Sequence, residues 1–354
     1  MATISLCMIV KNEEGSLQEC LSSVKSLVDE IIIVDTGSTD KTKEIAKKFT
    51  TKIFDFKWVD DFAKARNFGI KKAKMDYVMW LDGDDFVPKE TLDFLLKMKD
   101  KMTDDVYMIK YDLLIENSNC DFSLYRARII KNTPNCRFIG AVHECIGLFG
   151  KVNYLPLSIE HRKTEKEGKS DRNLNIFRKT KAKRKLTTRE LYYFGRELFD
   201  HKQYDECIFT LKKFLKRKDS WVENVIDAHY TLALCYLSKN QTKEHLYHLF
   251  ETFKYDKPRA NVCVLLGDYF YYKKEYNNAI YWYNEASKCE DVSHKGAFVD
   301  YRFYGYIPNI QMCVCYYYLN DYEKSFVYNE KAGEYFESDD VKSNRNILLK
   351  LLNK

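Results

Sequence analysis

Three acidic residues and one glycine close an apolar run at Met79-Trp80-Leu81-Asp82-Gly83-Asp84-Asp85. Two acids at i, i+2 after a buried strand, with glycine keeping the backbone accessible, suit a divalent cation that itself holds phosphate oxygens. A polar turn after a buried strand has the same composition, since Asp and Gly are common there. Three further segments weigh on that choice. Lys11-Asn12-Glu13 and Asp35 each follow an apolar run, and Val142-His143-Glu144 adds an imidazole beside a carboxylate. Singly, Asp35 reads as a turn or N-cap residue, Arg66 as a surface cation and His143 as a satisfied histidine.

These residues need strands to position them. Ile4 to Val10, Glu30 to Val34, Thr51 to Phe56 and Tyr77 to Leu81 read as strands. Helical patterns follow the first three, through Leu17 to Val24, Lys41 to Phe49 and Asp60 to Lys74. Strands alternating with helices predict βαβ units and a mostly parallel sheet. Such a sheet holds ligands at the carboxyl ends of its strands, where Asn12, Asp35 and Asp82 all fall. After Asp85 the pattern becomes mixed. A helix is expected over Pro88 to Met98, and strands over Val106 to Ile115, Phe122 to Ile130, Gly140 to His143 and Leu148 to His161. Residues 162–190 are strongly basic and read as a helical linker, either a solvated face or a docking surface for an anionic partner.

From Leu191 onward the chain is helical and repetitive. Gly195, Tyr204 and Cys207 have the same spacing as Gly267, Tyr276 and Ala279, and as Cys313, Tyr322 and Ser325. The stretch Ala228 to Phe253 fits this pattern less well. Four tetratricopeptide-like hairpins are predicted, each unable to bury its own face and so obliged to stack. The expected boundaries are 1–161 for the α/β domain, 162–190 for the linker and 191–354 for the all-α repeats.

Composition narrows the classes. The 354 residues are 45% hydrophobic, enough for two cored domains. No apolar stretch reaches the roughly 20 residues of a membrane span, and the N-terminus reads as a strand rather than a signal peptide. The 11 cysteines are odd in number and scattered, which predicts reduced, mostly buried thiols in a cytoplasmic protein. A net charge of +6 does not argue for a nucleic-acid partner.

Taken in order, the segments resemble the family 2 glycosyltransferases with the GT-A fold, a Rossmann-like α/β architecture. The matching pieces are Ile-Val-Lys-Asn-Glu-Glu, Ile-Ile-Ile-Val-Asp-Thr-Gly-Ser-Thr-Asp-Lys-Thr, Asp-Phe-Ala-Lys-Ala-Arg-Asn, Trp-Leu-Asp-Gly-Asp-Asp and Ile-Gly-Ala-Val-His-Glu, within residues 1–161. With its helical repeats, the chain resembles the bacterial subgroup that includes the sublancin-type peptide S-glycosyltransferases. The resemblance implies a UDP-sugar donor, with Val10, Asn12, Glu13 and Asp35 at the nucleoside. It implies Asp82 and Gly83 near ribose and diphosphate, Lys64 or Arg66 against phosphate charge, and Mn²⁺ or Mg²⁺ held by Asp84 and His143. Glu144 is the candidate general base. The family usually has two acids where this chain has Asp35-Thr36.

The expected activity is metal-dependent, inverting transfer of a hexose to a peptide or protein side chain, Cys S-linked or Ser/Thr O-linked. A cell-surface glycan or lipid-linked sugar is the alternative acceptor, and dimerisation is an alternative use of the helical half. A nucleotidyltransferase would also place carboxylate-bound metal on a βαβ sheet, but its Gly-rich loop after the first strand is missing. A non-catalytic repeat scaffold is disfavoured by intact Asp82, Asp84 and His143.

Overall fold

The computed structural model describes residues 2–113, 122–162 and 171–352. Contacts divide the chain into two compact units, one formed by residues 1–114 and 124–197 and the other by 115–123 and 198–354.

The first unit is built on a sheet of order β3-β2-β1-β4-β7-β6-β10-β5. Its strands β1 (Ile4–Val10), β2 (Glu30–Asp35), β3 (Ile53–Asp55) and β4 (Tyr77–Trp80) run parallel. Helices α1 (Leu17–Val24), α2 (Thr42–Lys47) and α3 (Phe62–Ile70) connect them in turn. Strands β1, β2 and β4 are mostly apolar, with Ser5, Glu30 and Asp35 the polar exceptions, because both faces of these strands are covered. Ile4, Leu6, Met8, Ile31, Ile33 and Met79 enter one core with Leu17 and Leu21. Cys7, Ile32, Val34, Val78 and Trp80 enter another with Ala63 and Ile70. Alternation of side chains along each strand sends neighbours to opposite layers, and burial on both faces is what parallel sheets require.

The mixed half follows with β5 (Asp85–Phe86), α4 (Lys89–Met98), β6 (Val106–Leu113), β7 (Phe122–Lys131), β8 (Phe138–Ile139), β9 (Cys145–Ile146) and β10 (Val152–His161). Strand β7 is antiparallel to β4, and β10 runs parallel to β6 but antiparallel to β5. The register of β10 against β6 shifts between Tyr154 and Ser158. Pro156 lies inside that interval, where its missing N–H interrupts the ladder.

One expectation is corrected here. Gly140 to His143 is not a strand but the connection between β8 and β9. Gly140 has φ +100° and His143 φ +50°, left-handed values that an extended strand does not use. Of the expected linker, residues 163–170 lie outside the described residues. Helix α5 (Arg172–Lys183) follows, burying Leu174, Ile176 and Phe177, and α6 (Thr188–Asp200) comes after it.

The second unit is a series of helical hairpins. Helix α6 runs on into α7 (Tyr204–Leu215) through a tight turn; the packed pairs that follow are α8 (Val222–Ser238) with α9 (Thr242–Glu251), α10 (Ala260–Tyr272) with α11 (Tyr276–Ser287), and α12 (Tyr306–Tyr318) with α13 (Tyr322–Tyr335). Helix α14 (Asp339–Leu351) packs on α13. Each hairpin turns through one left-handed residue: Lys202, Asn240, Lys274 and Asn320. The following N–H groups, those of Gln203, Gln241, Glu275 and Asp321, return to carbonyls of Leu198, Tyr236, Phe270 and Tyr316, which satisfies the helix ends.

The repeat spacing has a direct structural meaning. Tyr204, Tyr276 and Tyr322 each start the second helix of a hairpin. Cys207, Ala279 and Ser325, three residues on, are fully buried. In the hairpin that fitted poorly, Thr242 starts the helix and His245 fills the small-residue slot, its Nδ1 2.8 Å from the Ala233 carbonyl oxygen. An imidazole in a position that elsewhere takes Cys, Ala or Ser hid the repeat.

Candidate functional site

Strands β1, β2 and β4 end side by side, with Val10 in register with Asp35 and Cys7 with Trp80. Strand β1 lies between β2 and β4, so the connections leave it in both directions; this is the switch point where open α/β sheets receive ligands.

The first loop is tied to the second by side chains. Asn12 sits at φ +56°, its N–H donates to Ser38 Oγ (3.0 Å) and its Oδ1 accepts from Thr39 N (2.9 Å). Asparagine tolerates this left-handed conformation better than most residues. The Glu13 N–H donates to Thr42 Oγ1 (2.7 Å). The Val10 carbonyl accepts from both the N–H and the hydroxyl of Thr36. Thr36 therefore closes the β1–β2 loop beside Asp35. Asp35 is 1% exposed, and its carboxylate accepts from the N–H groups of Gly37 and Ser38, each at 3.1 Å. Lys43 Nζ stands 3.4 Å from it.

The β4 loop closes against the β1 loop. A Cβ at Gly83 would lie 2.7 Å from Glu13 Cγ, so glycine is what lets Glu13 pack there. Burial, with the nearby Asp84 charge, pushes the Glu13 carboxyl up to about 7.

Arg66 projects from α3, which is capped by Asp61 accepting from Lys64 N. Its Nη2 donates to Asp82 Oδ1 and its Nε to Glu144 Oε1, both at 2.6 Å. The guanidinium lies over the rings of Trp80 and Phe138, and its Nη1 is buried without a protein partner. Burial raises the Asp82 carboxyl, but Arg66 and then Arg128 outweigh it and hold that group well below the usual carboxylate range. Helix α3 also holds the segment that carries Glu144. Asn67 exchanges two 2.9 Å hydrogen bonds with the Phe138 backbone, and Phe62 N donates to the Ala141 carbonyl. The Lys64 ammonium is two-thirds exposed, 3.5 Å from Asp61.

Asp84, Asp85 and His161 form a cluster whose donor atoms lie within 4.8 Å of one another. His161 arrives because the last residue of β10 stands opposite Asp85 of β5. Its Nδ1 is 3.4 Å from Asp84 Oδ1 and 2.8 Å from the Tyr111 hydroxyl. Asp85 is fully buried, and both of its oxygens are in use: Oδ1 accepts from Tyr111, and Oδ2 from Arg128 (2.9 Å) and Asp82 N (2.9 Å). Burial raises the Asp84 carboxyl, against the pull of His161 and with the charges of Asp82 and Asp85 adding to it. Burial lowers the His161 imidazole, but Asp85 and Asp84 overcome it and leave the group raised. Carboxylate oxygens beside one imidazole fit Mn²⁺ or Mg²⁺ in chemistry.

His143, the histidine singled out from the sequence, is placed otherwise. Its Nε2 is 2.9 Å from Glu197 Oε1, its ring stacks on Tyr193 at 4.4 Å, and its carbonyl accepts from Arg189. The imidazole beside Asp84 is that of His161. Tyr111, Arg128 and His161 carried no local motif; the one available signal was a lone histidine closing a strand before the basic tract.

Residues 5–146 match the model of glycosyl transferase family 2, and that part of the chain is a domain of this family. A TPR repeat-containing protein of Synechococcus elongatus is 36% identical over 148 residues, covering 41% of this chain and 36% of that protein. The SPbeta prophage-derived glycosyltransferase SunS of Bacillus subtilis is 30% identical over 259 residues, 67% of this chain and 60% of SunS. The chain thus spans less than two thirds of either relative. Among solved structures, S. aureus TarS 1–349 in complex with UDP-GlcNAc aligns over 70% of this chain and 90% of that one, at 17% identity and a TM-score of 0.43. The matched residues 5–146 lie in the first unit, and tetratricopeptide-like helices follow in the second. Among the described residues no helix is long and apolar enough to cross a membrane.

Proposed function

We propose that the chain is a metal-dependent, inverting glycosyltransferase that moves a hexose from a UDP-sugar to a peptide or protein side chain. The observation that carries this reading is the meeting of Asn12, Asp35 and Asp82-Gly83-Asp84 at adjacent carboxyl ends of β1, β2 and β4, with His161 against Asp84. Val10, Asn12, Glu13 and Asp35 form the nucleoside side of this crevice, and Asp82 and Gly83 the side toward ribose and diphosphate. Asp84 and His161 would hold Mn²⁺ or Mg²⁺. A cation bound there supplies charge stabilisation to the leaving diphosphate. Arg66 keeps Asp82 ionised, and its free Nη1 offers one further donor to an anionic ligand. Lys64 adds a solvent-facing cation on the same helix. Glu144 is the base for a hydroxyl acceptor, with Oε1 held by Arg66 and the carboxylate thereby oriented. A thiol acceptor ionises near neutral pH and needs less help. The peptide acceptor rests on the similarity to SunS, a glycosyltransferase, and on the resemblance to the sublancin-type enzymes.

The test is incubation with individual UDP-hexoses and Mn²⁺, reading UDP release, followed by mass spectrometry of Cys- or Ser/Thr-containing peptides encoded beside the gene. A hexose mass on a peptide side chain supports the proposal. Transfer only to a glycan or lipid-linked sugar overturns the acceptor class. Pyrophosphate release from a nucleoside triphosphate, or no turnover of any donor, overturns the reaction.

A further inference from the structure

We propose that Arg126 receives the diphosphate of the nucleotide donor, through the edge of a guanidinium whose face rests on aromatic rings. This rests on the donor reading above and assigns work to a residue that reading does not use.

Three guanidinium groups gather on the Trp80 ring, just before the Asp82-Gly83-Asp84 turn. Arg128 lies 4.1 Å from the ring centroid, Arg66 4.6 Å and Arg126 5.8 Å. They differ in what their N–H groups do. Arg66 gives Nε to Glu144 and Nη2 to Asp82, which leaves Nη1 alone without a protein partner. Arg128 is fully buried, and its Nη1 donates to Asp85 Oδ2 and to the Trp80 carbonyl oxygen. Arg126, on β7, is half-buried and forms no ion pair or hydrogen bond among the described residues. Its contacts are ring faces, those of Trp80 and of Tyr111 at 5.0 Å. A guanidinium lying over rings uses its faces, while its N–H donors stay in the plane of the group and remain open. That open fork matches two oxygens of a phosphate, a contact the single nitrogen left on Arg66 cannot make. The location fits the same ligand. The hydroxyl of the Tyr111 ring stands 2.8 Å from both Asp85 Oδ1 and His161 Nδ1, so Arg126 rests beside the acidic cluster. Burial raises the Asp82 carboxyl, and Arg66, Arg128 and then Arg126 pull it down, which puts the Arg126 charge within reach of the turn. A diphosphate arriving at Asp82, Asp84 and Asp85 meets like charge, and a cation not already paired within the protein is the group that offsets it. Arginine keeps that charge at any working pH.

Arg126→Met keeps apolar contact with the rings and removes every donor; Arg126→Lys keeps the charge and removes the fork. Three titrations of the full chain compare them with the wild type: UDP at saturating Mn²⁺ and Mn²⁺ alone by calorimetry, and uridine by NMR. Arg126→Met is expected to weaken UDP about 10- to 100-fold, the loss of charge-assisted hydrogen bonds, and Arg126→Lys to weaken it less. Uridine affinity is expected to be unchanged in both. Mn²⁺ alone is expected to bind Arg126→Met as tightly as the wild type or more tightly, because a cation near the carboxylates has gone. An Arg126→Met variant that binds UDP like the wild type overturns the proposal and leaves the donor reading standing. Equal losses for UDP and uridine also overturn it, since Arg126 then shapes the nucleoside pocket, as does weakened Mn²⁺ binding, since the effect then passes through the metal. Arg126→Lys at wild-type UDP affinity overturns the forked contact, and serves as the test by itself if Arg126→Met does not fold. A wild type that binds no UDP overturns the donor reading and this assignment together.

Discussion

Arg66 holds Asp82 across 2.6 Å, and the same guanidinium holds Glu144 at the same distance through a different nitrogen. Two segments that flank the crevice, far apart in the chain, are joined by one buried cation. Lysine cannot bridge two carboxylates in that fork geometry. Arg66→Ala leaves two carboxylates facing each other in a largely buried setting, and a loss of about 3–5 kcal/mol in unfolding free energy is expected. Arg66→Lys is expected to fall between that variant and the wild type. Urea denaturation measures both, and an Arg66→Ala variant as stable as the wild type would show that the pair contributes nothing.

The two histidines are predicted to separate cleanly. Asp84→Ala and His161→Ala are expected to abolish Mn²⁺-dependent UDP release and to weaken Mn²⁺ binding at least about 10-fold. His143→Ala removes a stacked ring and a partner of Glu197, and is expected to lower stability by about 1–3 kcal/mol while Mn²⁺ still binds. Calorimetric titration of the three variants with Mn²⁺ checks the assignment; loss of binding in His143→Ala with retention in His161→Ala would reverse it.

Asp35 shapes its loop through the N–H groups of Gly37 and Ser38, and that loop is proposed above to meet the nucleoside. A nucleoside contact is the same in ground state and transition state, so removing it shows in KM more than in kcat. Asp35→Ala is expected to raise KM for the UDP-sugar at least about 10-fold, with a smaller change in kcat. Steady-state kinetics of UDP release decides; a large kcat loss at unchanged KM would place Asp35 at the reacting centre.

In the helical unit, His229 Nδ1 and His248 Nδ1 lie 2.9 Å apart, both buried. Burial, then the neighbouring His229, pulls the His248 imidazole down to about 4, and burial also lowers His229. Glu251 opposes these shifts, while Lys254 acts with them on His229 and Lys212 on His248. A histidine with a depressed folded-state value leaves the unfolded chain holding the extra proton, so stability falls as pH drops from about 6.5 toward 4. His248 alone is worth about 3 kcal/mol over that window. Urea midpoints measured from pH 7 to pH 4.5 are expected to fall less steeply for His248→Gln than for the wild type. Identical slopes would show that the pair does not titrate on unfolding.

The compact first unit extends to Glu197, and α6 supplies Leu191, Phe194 and the Glu197 partner of His143. A chain ending at Asp200 is therefore expected to retain more UDP-sugar hydrolysis and solubility than one ending at Thr187, and both are expected to lose transfer to a peptide acceptor. Expression yield and UDP release of the two truncations test this. Equal behaviour would mean that α6 adds nothing to the donor side.

The sequence by itself determined the parallel βαβ core, the carboxyl ends that carry Asn12, Asp35 and Asp82-Gly83-Asp84, and the repeating helical hairpins. Those features are local: strand burial on both faces makes continuous apolar runs, and a repeated hairpin reuses one small-residue slot at fixed spacing. Where His245 filled that slot, the spacing signal faded although the hairpin formed. The tertiary structure alone decided which imidazole meets Asp84. His161 lies at the end of β10 and reaches Asp85 through a two-residue antiparallel pairing with β5, while Tyr111 comes from β6 and Arg128 from β7. Pairing between strands so distant in the chain is set by register and sheet order, and spacing along the chain carries no trace of either. His143 sits next to Glu144 in the chain, but left-handed backbone at His143 turns its ring toward Tyr193 and Glu197, and Glu144 toward Arg66.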